Sequence, residues 1–538
     1  MSVADRVDEL LSHLDAPGMP GAAVAVLVDS EVVHQRCYGH ADIGADVPFT
    51  PDTPFAIASM TKQFTTTCIL LLEEEGRLSL QEDYRTYLPE MPDFGAPVTI
   101  EHLCTNTSGI RDIFALVALS GGHRLAPRTR SLVADVIGRQ RSLNFPTGSQ
   151  YRYSNPNFQL LSWIVERVTG QRLGEFMAER IFERLGMADT LLQDLRGPAF
   201  AGGARAYDGA ARDELRPSEW EEFARSGSGE GGGAIWSTLD DLILWERNFD
   251  HNVIGSEHLL ERLTRAPGIP GGDRSCYARG LFVGAHRGLI WHGHSGGLGP
   301  FTSNRVRFPD AGVSVIMLSN SSLANPFLGV FGVADAVLDR RPQGGAAPVW
   351  EKVPTERLRP WLGAYEDGAT GFTFELRDDN GAACLVWFGS PVPLETAGSE
   401  GLVAMRGASL PTLVTPGAAG PEPEITVQLG PNPPLRLKQS PAPSTGGLEL
   451  FEGRYFSGEL EAAYTVSLER GGLSLAIESA LGSKDGLPMF RVTDSSFTTV
   501  LGPDQRPLLF FPHDPGAPPT GAVATLARAE GLRLRRID

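Results

Sequence analysis

The chain has 538 residues, of which 41% are hydrophobic, enough for about two to four globular domains. Its formal net charge of −18 argues against a nucleic-acid partner, because phosphate binding needs clustered Lys and Arg. The five cysteines are odd in number and far apart, which predicts neither a disulfide framework nor a metal site. The sequence implies no metal and no organic cofactor.

The N-terminal segment predicts an amphipathic helix, with Val7, Leu10, Leu11 and Leu14 on one face, and not a secretory signal. No apolar run approaches the roughly 20 residues that a membrane span needs. We therefore expect a soluble, cytoplasmic protein with no membrane partner. A homodimer is compatible with the sequence.

Two strong signals follow this helix. The segment AAVAVLVDSEVVHQRCYG predicts two strands joined at Asp29-Ser30, a hairpin. The segment TKQFTTTCILLLEEEGRL predicts a helix that is apolar nearly all round and ends at Gly76. Such a helix belongs inside a domain, because it has no polar face to present to water.

The rest of this region, to about residue 340, mixes helices and strands. Helices are expected over 157–170 and over 237–249, the second with Ser237 as its N-cap. A strand-rich run over 279–320 closes the region. Because strands occur at both ends with helices between them, we expect one sheet built from both ends of this region.

From Trp350 onward, short alternating strands with Gly and Asn-Gly turns replace the helix signals. The stretch RPQGGAAP precedes this part, and QSPAPSTGG (439–447) divides it into two pieces. WLGAY (361–365) and FEGRY (451–455) each begin a similar pattern, which indicates a duplicated unit. Regularly spaced short strands predict two small antiparallel barrels.

One motif suggests a nucleophile at Ser295. Gly293–Gly297 matches G-x-S-x-G, the nucleophile elbow of α/β-hydrolases, in which a helix directly follows the serine. Here Gly296-Gly297-Leu298-Gly299-Pro300 follows, a very poor helix start. The elbow hypothesis is therefore rejected.

A better nucleophile is Ser59 in FAIASMTKQF. Lys62 stands three residues later, so both side chains share one face at the start of the buried helix. A desolvated, neutral lysine can serve as the base that activates a serine. The helix N-terminus also favours the oxyanion that forms during attack.

Two further motifs accompany this pair. Tyr153 and Asn155 lie in YRYSNPN, whose turn residues predict a loop that can face a cleft. His294 and Gly296 lie on the late strand that also carries Ser295. The Gly-rich run GSGEGGGAIW lacks the strand context of a nucleotide loop, and we expect it to line the cleft opposite this strand.

The order S-x-x-K, Y-x-N and basic-x-Gly resembles the serine β-lactamases and penicillin-binding proteins. The resemblance covers about residues 5–340 and includes TPDTPFAIASMTKQFT, TIEHLCTNTSGI and STLDDL, typical of the class C branch. It implies an α+β fold, an antiparallel sheet with helices on both sides, over residues 1–340. The two antiparallel β-barrels would follow at 349–438 and 448–538, the second lipocalin-like.

The resemblance also implies roles for single residues. Ser59 would be the acylated nucleophile. Lys62 would be its base or would share that role with Tyr153, which would pass a proton to the leaving group. Asn155 would hold the acyl-side amide of the substrate. The backbone N–H groups of Ser59 and Gly297 would form the oxyanion hole. Gly296 would let the substrate lie along the strand as an added edge, and Ser295 would be a bystander.

The sequence departs from the β-lactamase pattern at His294, where lysine is usual. A histidine that is mostly neutral at pH 7 is a poorer anchor for a carboxylate. With two appended barrels, the chain instead resembles the three-domain branch that releases N-terminal D-amino acids. In that branch a loop of the last barrel restricts the site to substrates with a free amino terminus. The matching loop would be ESALGSKDGLPMF, with Asp485 binding the substrate ammonium.

Several functions remain open from the sequence. The preferred one is a D-stereospecific aminopeptidase that acts on peptides, amides and esters through an acyl-enzyme on Ser59. The alternatives are a D-amino acid amidase or esterase, then a DD-carboxypeptidase or β-lactamase, and then a β-lactam sensor that is acylated without turnover. The expected partner is a small peptide or amide with a free N-terminal D-amino acid.

Overall fold

The structure, a computed structural model, describes most of the chain. The predicted boundary RPQGGAAP lies outside the described residues. The described ranges are 2–123, 129–193, 202–209, 214–225, 229–339, 351–367, 372–387, 390–396, 402–404, 412–420, 422–502, 505–514 and 516–538.

An antiparallel sheet of six strands organises the N-terminal region (residues 2–339). Its strand order is β10-β11-β12-β13-β1-β2, so strands from the two ends of the region pair, as predicted. The predicted hairpin turns at Asp29-Ser30, both with positive φ. The strands that the structure describes in this region, including short ones outside this sheet, are β1 (Ala22–Val28), β2 (Glu31–Tyr38), β3 (His40–Asp42), β4 (Val47–Pro48), β5 (Phe55–Ala56), β6 (Leu191–Leu192), β7 (Tyr207–Asp208), β8 (Arg216–Pro217), β9 (Ile235–Ser237), β10 (Phe282–His286), β11 (Leu289–Leu298), β12 (Phe301–Phe308) and β13 (Val313–Ser319).

Helices cover both faces of this sheet. They are α1 (Val3–Leu11), α2 (Thr61–Glu74), α3 (Ile100–Cys104), α4 (Ile113–Leu119), α5 (Arg130–Gly138), α6 (Asn155–Thr169), α7 (Leu173–Met177), α8 (Glu183–Leu185), α9 (Trp220–Arg225), α10 (Glu230–Gly233), α11 (Leu239–His251), α12 (Glu257–Thr264) and α13 (Pro326–Leu338). Val24 packs with α1 and α13, whereas Ala25 faces the core around α2 and α6. Side chains of a strand alternate between faces, so β1 is buried on both sides. In the part of the chain that the structure describes, no helix combines the length and the apolar character needed to span a membrane.

Three local predictions need correction. Helix α11 begins after Thr238, whose side chain accepts from the Asp241 N–H, because Ser237 is still part of strand β9 and bonds to Thr190. Helix α6 begins at Asn155, two residues earlier than predicted. Leu10 is 49% exposed, because α1 presents only Val7 and Leu11 to the core.

The middle sheet, residues 351–440, is antiparallel and nearly closed. Its first and last strands meet where the Ser440 N–H donates to the Ala364 carbonyl (2.8 Å). The strands are β14 (Glu351–Lys352), β15 (Gly363–Glu366), β16 (Thr373–Asp379), β17 (Ala382–Trp387), β18 (Ser390–Thr396), β19 (Leu402–Ala404), β20 (Thr412–Pro416), β21 (Glu424–Leu429) and β22 (Leu435–Lys438). A short helix, α14 (Thr355–Leu358), lies between the short strand β14 and strand β15.

The C-terminal barrel, residues 448–538, is closed by eight antiparallel strands. Its start repeats the start of the middle sheet: the hydroxyls of Tyr365 and Tyr455 donate to the carbonyls of Trp361 and Phe451, each four residues upstream. The strands are β23 (Gly453–Ser457), β24 (Ala462–Glu469), β25 (Gly472–Ser479), β26 (Gly482–Arg491), β27 (Ser496–Thr498), β28 (Leu508–Phe510), β29 (Gly521–Leu526) and β30 (Ala529–Arg536).

Helix α4 joins this barrel to the N-terminal region. Its buried residues Leu116 and Leu119 belong to the hydrophobic cluster of the barrel, with Tyr464 and Ile477. The Tyr464 hydroxyl donates to the Leu119 carbonyl at the end of the helix. The barrel therefore fixes the segment that leads into α4, and that segment reaches the candidate site.

Candidate active site

Ser59 lies in a single 3₁₀ turn, Ala58–Met60, that runs directly into α2. Its side chain is partly exposed, whereas Ala58 and Met60 on either side are buried. Ala58 has a φ of 48°, in the left-handed region that a residue with a side chain rarely adopts. Such local strain is found where the surroundings hold a functional group in place.

The backbone before Ser59 is tied to two strands. The Ile57 N–H donates to the Ile235 carbonyl (3.0 Å) on β9, and the Ser303 hydroxyl of β12 donates to the Ile57 carbonyl (3.0 Å). These bonds position Ser59 at the edge of the sheet rather than on a free loop.

Lys62 is fully buried one helical turn after Ser59. Its Nζ donates to Ser59 Oγ (3.0 Å), Asn155 Oδ1 (2.9 Å) and the Gly232 carbonyl (2.5 Å). Burial lowers the pKa of Lys62 well below its ordinary value, the nearby Asp112 carboxylate opposes this shift, and the Arg528 guanidinium reinforces it. The site thus favours the neutral amine, whose two N–H groups suffice for Asn155 and Gly232 and whose lone pair then faces Ser59 Oγ, as a general base requires.

Asn155 is held by Asp112, a residue that the sequence analysis did not select. Asp112 Oδ2 accepts from the Asn155 backbone N–H (2.9 Å) and from Asn155 Nδ2 (2.8 Å). These bonds turn Asn155 Oδ1 toward Lys62. Asp112 also caps α4 by accepting from the Phe114 N–H (3.0 Å), which is the one local signal that the sequence offered for it.

Tyr153 completes the cluster. Lys62 Nζ lies 4.9 Å from the centroid of its ring, and Phe282 stacks parallel to it at 6.3 Å. Burial raises the pKa of the Tyr153 hydroxyl, while its hydrogen bond with Ser59 and the charge of Arg528 act in the opposite direction. The structure therefore brings Ser59, Lys62, Tyr153 and Asn155 together.

His294 lies beside Tyr153 as a buried, neutral ring. Its Nδ1 is 2.5 Å from the Ser295 carbonyl and its Nε2 is 3.0 Å from the Tyr277 hydroxyl, so both nitrogens are used within the protein. Burial, and then the charge of Lys62, lower the pKa of His294 to about 3. An uncharged imidazole with both nitrogens bonded packs the site and offers no charge to a substrate.

Gly296 lies against the backbone segment that carries Ser59. A Cβ at this position would lie 2.1 Å from the Ile57 carbonyl oxygen and 2.2 Å from Ser303 Oγ. The glycine therefore lets β11 approach the segment that carries Ser59. Its predicted second role, to let a substrate lie along the strand, stays a prediction. Gly297 next to it is exposed, and β10 covers β11 only as far as Gly293.

This close approach predicts a strong effect of Gly296→Ala. The added methyl would displace the Ile57 carbonyl and shift Ser59, and a displacement of about 1 Å lowers kcat by roughly 100-fold. Gly332→Ala is the matched control, because a Cβ there meets nothing within 4 Å. Steady-state kinetics of both variants with a chromogenic amide test this, and full activity of Gly296→Ala would contradict it.

The predicted loop around Asp485 is wrong in its secondary structure, while the role of Asp485 in binding a substrate stays a prediction. Strands β25 and β26 are joined by the two-residue turn Ala480-Leu481, so Asp485 lies within strand β26. It is exposed, and its carboxylate accepts from the Gly486 N–H (2.8 Å). The resemblance implied a loop here, but the residues on either side pair with β25, and Asp485 and Gly486 form only a bulge within the strand.

A different hairpin of the barrel reaches the cluster. Strands β29 and β30 meet at a turn that contains Arg528, whose carbonyl accepts from the Asp112 N–H (2.9 Å). Its guanidinium carbon lies 4.8 Å from the centroid of the Tyr153 ring. The Gly-rich run that contains Gly232 was expected at the cleft, but Arg528 was not, because its position depends on contacts between distant segments.

The cluster of Ser59, Lys62, Tyr153 and Asn155 lies on a fold of one known class: the chain belongs to the Beta-lactamase family, whose sequence profile matches residues 7–330. Over 550 aligned residues it is 29% identical to a D-aminopeptidase from Cereibacter sphaeroides, an alignment that covers 99% of this chain and 98% of that protein.

Two solved structures share the fold. The octameric penicillin-binding protein homologue from Pyrococcus abyssi superposes with a TM-score of 0.57 at 23% identity, over 81% of this chain and 99% of that one. The D-amino acid amidase from Ochrobactrum anthropi SV3 superposes with a TM-score of 0.53 at 24% identity, over 63% of this chain and 99% of that one. The predicted family, the α+β fold with its β-rich extension, and a serine hydrolase of this class are confirmed.

Proposed function

We propose that this chain is a D-stereospecific aminopeptidase that releases N-terminal D-amino acids from peptides, amides and esters through an acyl-enzyme on Ser59. The observation that carries the proposal is the position of the buried Lys62 amine, 3.0 Å from Ser59 Oγ and 2.9 Å from Asn155 Oδ1. The full-length similarity to a D-aminopeptidase supports the substrate class.

Acylation follows from these contacts. Ser59 Oγ attacks the carbonyl carbon of the scissile bond and gives its proton to neutral Lys62. The Tyr153 hydroxyl donates a proton to the leaving amine, and Lys62 returns a proton to Tyr153. The C–N bond breaks, the amine leaves neutral, and Ser59 holds the D-aminoacyl group as an ester. Water then attacks the carbonyl carbon of this ester and gives a proton to Lys62. As the bond to Ser59 breaks, Lys62 returns a proton to Ser59 Oγ, and the D-amino acid leaves.

The oxyanion of each tetrahedral intermediate needs hydrogen-bond donors. The backbone N–H groups of Ser59 and of exposed Gly297 are the proposed pair, one at the head of α2 and one on the edge of β11. Asn155, oriented by Asp112, binds the acyl side of the substrate. Its Oδ1 also keeps the Lys62 amine aimed at Ser59.

The C-terminal barrel favours an aminopeptidase over an amidase that consists only of a domain like the N-terminal region. Similarity to the D-aminopeptidase extends through residues of both β-rich parts, whereas the superposed D-amino acid amidase covers 63% of this chain. The contact between the Asp112 N–H and the Arg528 carbonyl places the barrel next to the catalytic cluster. An amidase whose active site is open to solvent would not need a barrel at this position.

The test compares D-alanine p-nitroanilide, its L enantiomer and its N-acetylated form, with Ser59→Ala as the inactive control. We expect turnover of the free D compound alone, and its loss in Ser59→Ala. Equal turnover of the N-acetylated form would instead indicate an amidase or esterase with an open site. Absence of turnover, with a β-lactam still acylating Ser59, would favour a carboxypeptidase or a sensor.

A further inference from the structure

The turn between β29 and β30 holds Arg528 against the catalytic tyrosine. The Arg528 carbonyl accepts from the Asp112 N–H (2.9 Å) and from Asn144 Nδ2 (3.3 Å). The Glu530 N–H donates to Asn144 Oδ1 (2.8 Å), which fixes the other side of the turn. Since these bonds use the backbone of Arg528, its side chain is free to act on a ligand, and it extends over the Tyr153 ring.

The side chain of Arg528 differs from the other arginines at this interface. Arg111 is paired with Glu459 (3.2 Å), and Arg152 is paired with Glu530 (2.5 Å). Arg528 is exposed, and in the described ranges no carboxylate lies within ion-pair distance of it. A guanidinium at a catalytic cluster with its N–H donors in solvent is available to an incoming anion.

The other basic groups of the cluster are already committed. The Lys62 amine donates to Ser59, Asn155 and Gly232. The His294 ring is neutral and bonded at both nitrogens. Of the described residues that contact Tyr153, Arg528 is therefore the cation left to bind a negative group, and its planar fork of donors matches a carboxylate.

We propose that Arg528 binds a carboxylate on the leaving-group side of the substrate, so that the preferred substrates are short peptides in which an acidic group follows the D-amino acid. This inference rests on the proposed function, in which Tyr153 gives its proton to the leaving amine. A cation stacked on Tyr153 then lies on the same side of the scissile bond. The carboxylate is either the C-terminus of a dipeptide or an acidic side chain in the second residue.

Three substrates separate these sources: D-alanyl-glycine, D-alanyl-glycinamide, and D-alanyl-aspartic acid α-amide. The variants are Arg528→Gln, Arg528→Lys to keep the charge, and Arg533→Gln as the control, an exposed arginine on the same hairpin. Measurements at a pH on the plateau of the activity profile keep effects on the pKa of Lys62 out of the comparison. Release of D-alanine is measured for each substrate with the wild-type protein and with each variant.

We expect the wild-type protein to favour a carboxylate substrate over the glycinamide. Arg528→Gln should lower the ratio of kcat/KM for that substrate to kcat/KM for the glycinamide by about 10- to 100-fold, mainly through KM of the carboxylate substrate. Arg528→Lys should keep part of the preference, and Arg533→Gln all of it. Whichever carboxylate substrate loses activity identifies the source of the carboxylate, and either one supports the inference.

Other outcomes overturn it. Equal losses on all three substrates would mean that Arg528 only supports the cluster, and absence of a carboxylate preference in the wild-type protein would mean that no such subsite exists. In both cases Ser59-dependent release of D-alanine would persist, so the proposed function would stand. If none of the substrates released D-alanine, the proposed function would fail and this inference with it.

Discussion

Lys62→Met should lower kcat by about 10³- to 10⁴-fold, because it removes the base that takes the proton of Ser59 and returns one to Tyr153. Methionine fills a similar volume but leaves the Gly232 carbonyl and Asn155 Oδ1 without their donor, so we expect the melting temperature to fall by a few degrees while the protein stays folded. Steady-state kinetics with D-alanine p-nitroanilide and thermal unfolding measure both quantities. Lys352→Met, at an exposed position of the middle sheet, should change neither.

The same lysine sets the pH dependence of the reaction. Only neutral Lys62 accepts a proton, and its pKa is depressed, so kcat/KM should rise with pH through this depressed pKa and be on its plateau well below the ordinary lysine range. A Lys62→Met variant that keeps more than a tenth of the wild-type kcat would contradict the assigned role.

Asp112→Ala should lower kcat by roughly 100- to 1,000-fold, although Asp112 touches no reacting atom. The variant loses the bonds that orient Asn155, and with them the alignment of the Lys62 amine. It also loses the N-cap of α4, which costs about 1 kcal/mol of stability. Kinetics and urea unfolding of the same preparation separate the two effects.

A pH profile shows whether Asp112 acts through Lys62. The Asp112 carboxylate raises the pKa of Lys62, so Asp112→Ala should lower that pKa further and move the acid limb of kcat/KM to lower pH. A purely structural loss would reduce the rate without moving the limb. Asp310→Ala, at an exposed turn of the N-terminal region, is the control and should leave both the rate and the profile unchanged.

The sequence was most informative where the chemistry is local. Ser59 and Lys62 are three residues apart on one helix, and Tyr153 and Asn155 are two apart in one loop, so each pair is visible as a motif. The hairpin at Asp29-Ser30 and the two β-rich repeats follow local turn and strand patterns in the same way. These elements needed no knowledge of tertiary contacts.

The sequence was least informative where distant segments meet. Asp112 has the pattern of an ordinary helix N-cap, and only the fold brings its other oxygen to Asn155. Arg528 occupies an unremarkable turn whose position depends on how α4 packs into the barrel. Asp485 was misplaced for a different reason: the loop was carried over from the resemblance, whereas here the neighbouring residues form a hairpin with β25 and leave Asp485 at a bulge.

Mass spectrometry of the protein quenched during turnover of a D-alanine ester tests most directly whether Ser59 forms an acyl-enzyme. We expect a mass increase of one D-alanyl group on the peptide that contains Ser59, formed by the D ester and not by its L enantiomer. The adduct should be absent from Ser59→Ala. An adduct on any other residue, or rapid turnover of the D ester in Ser59→Ala, would contradict this role of Ser59.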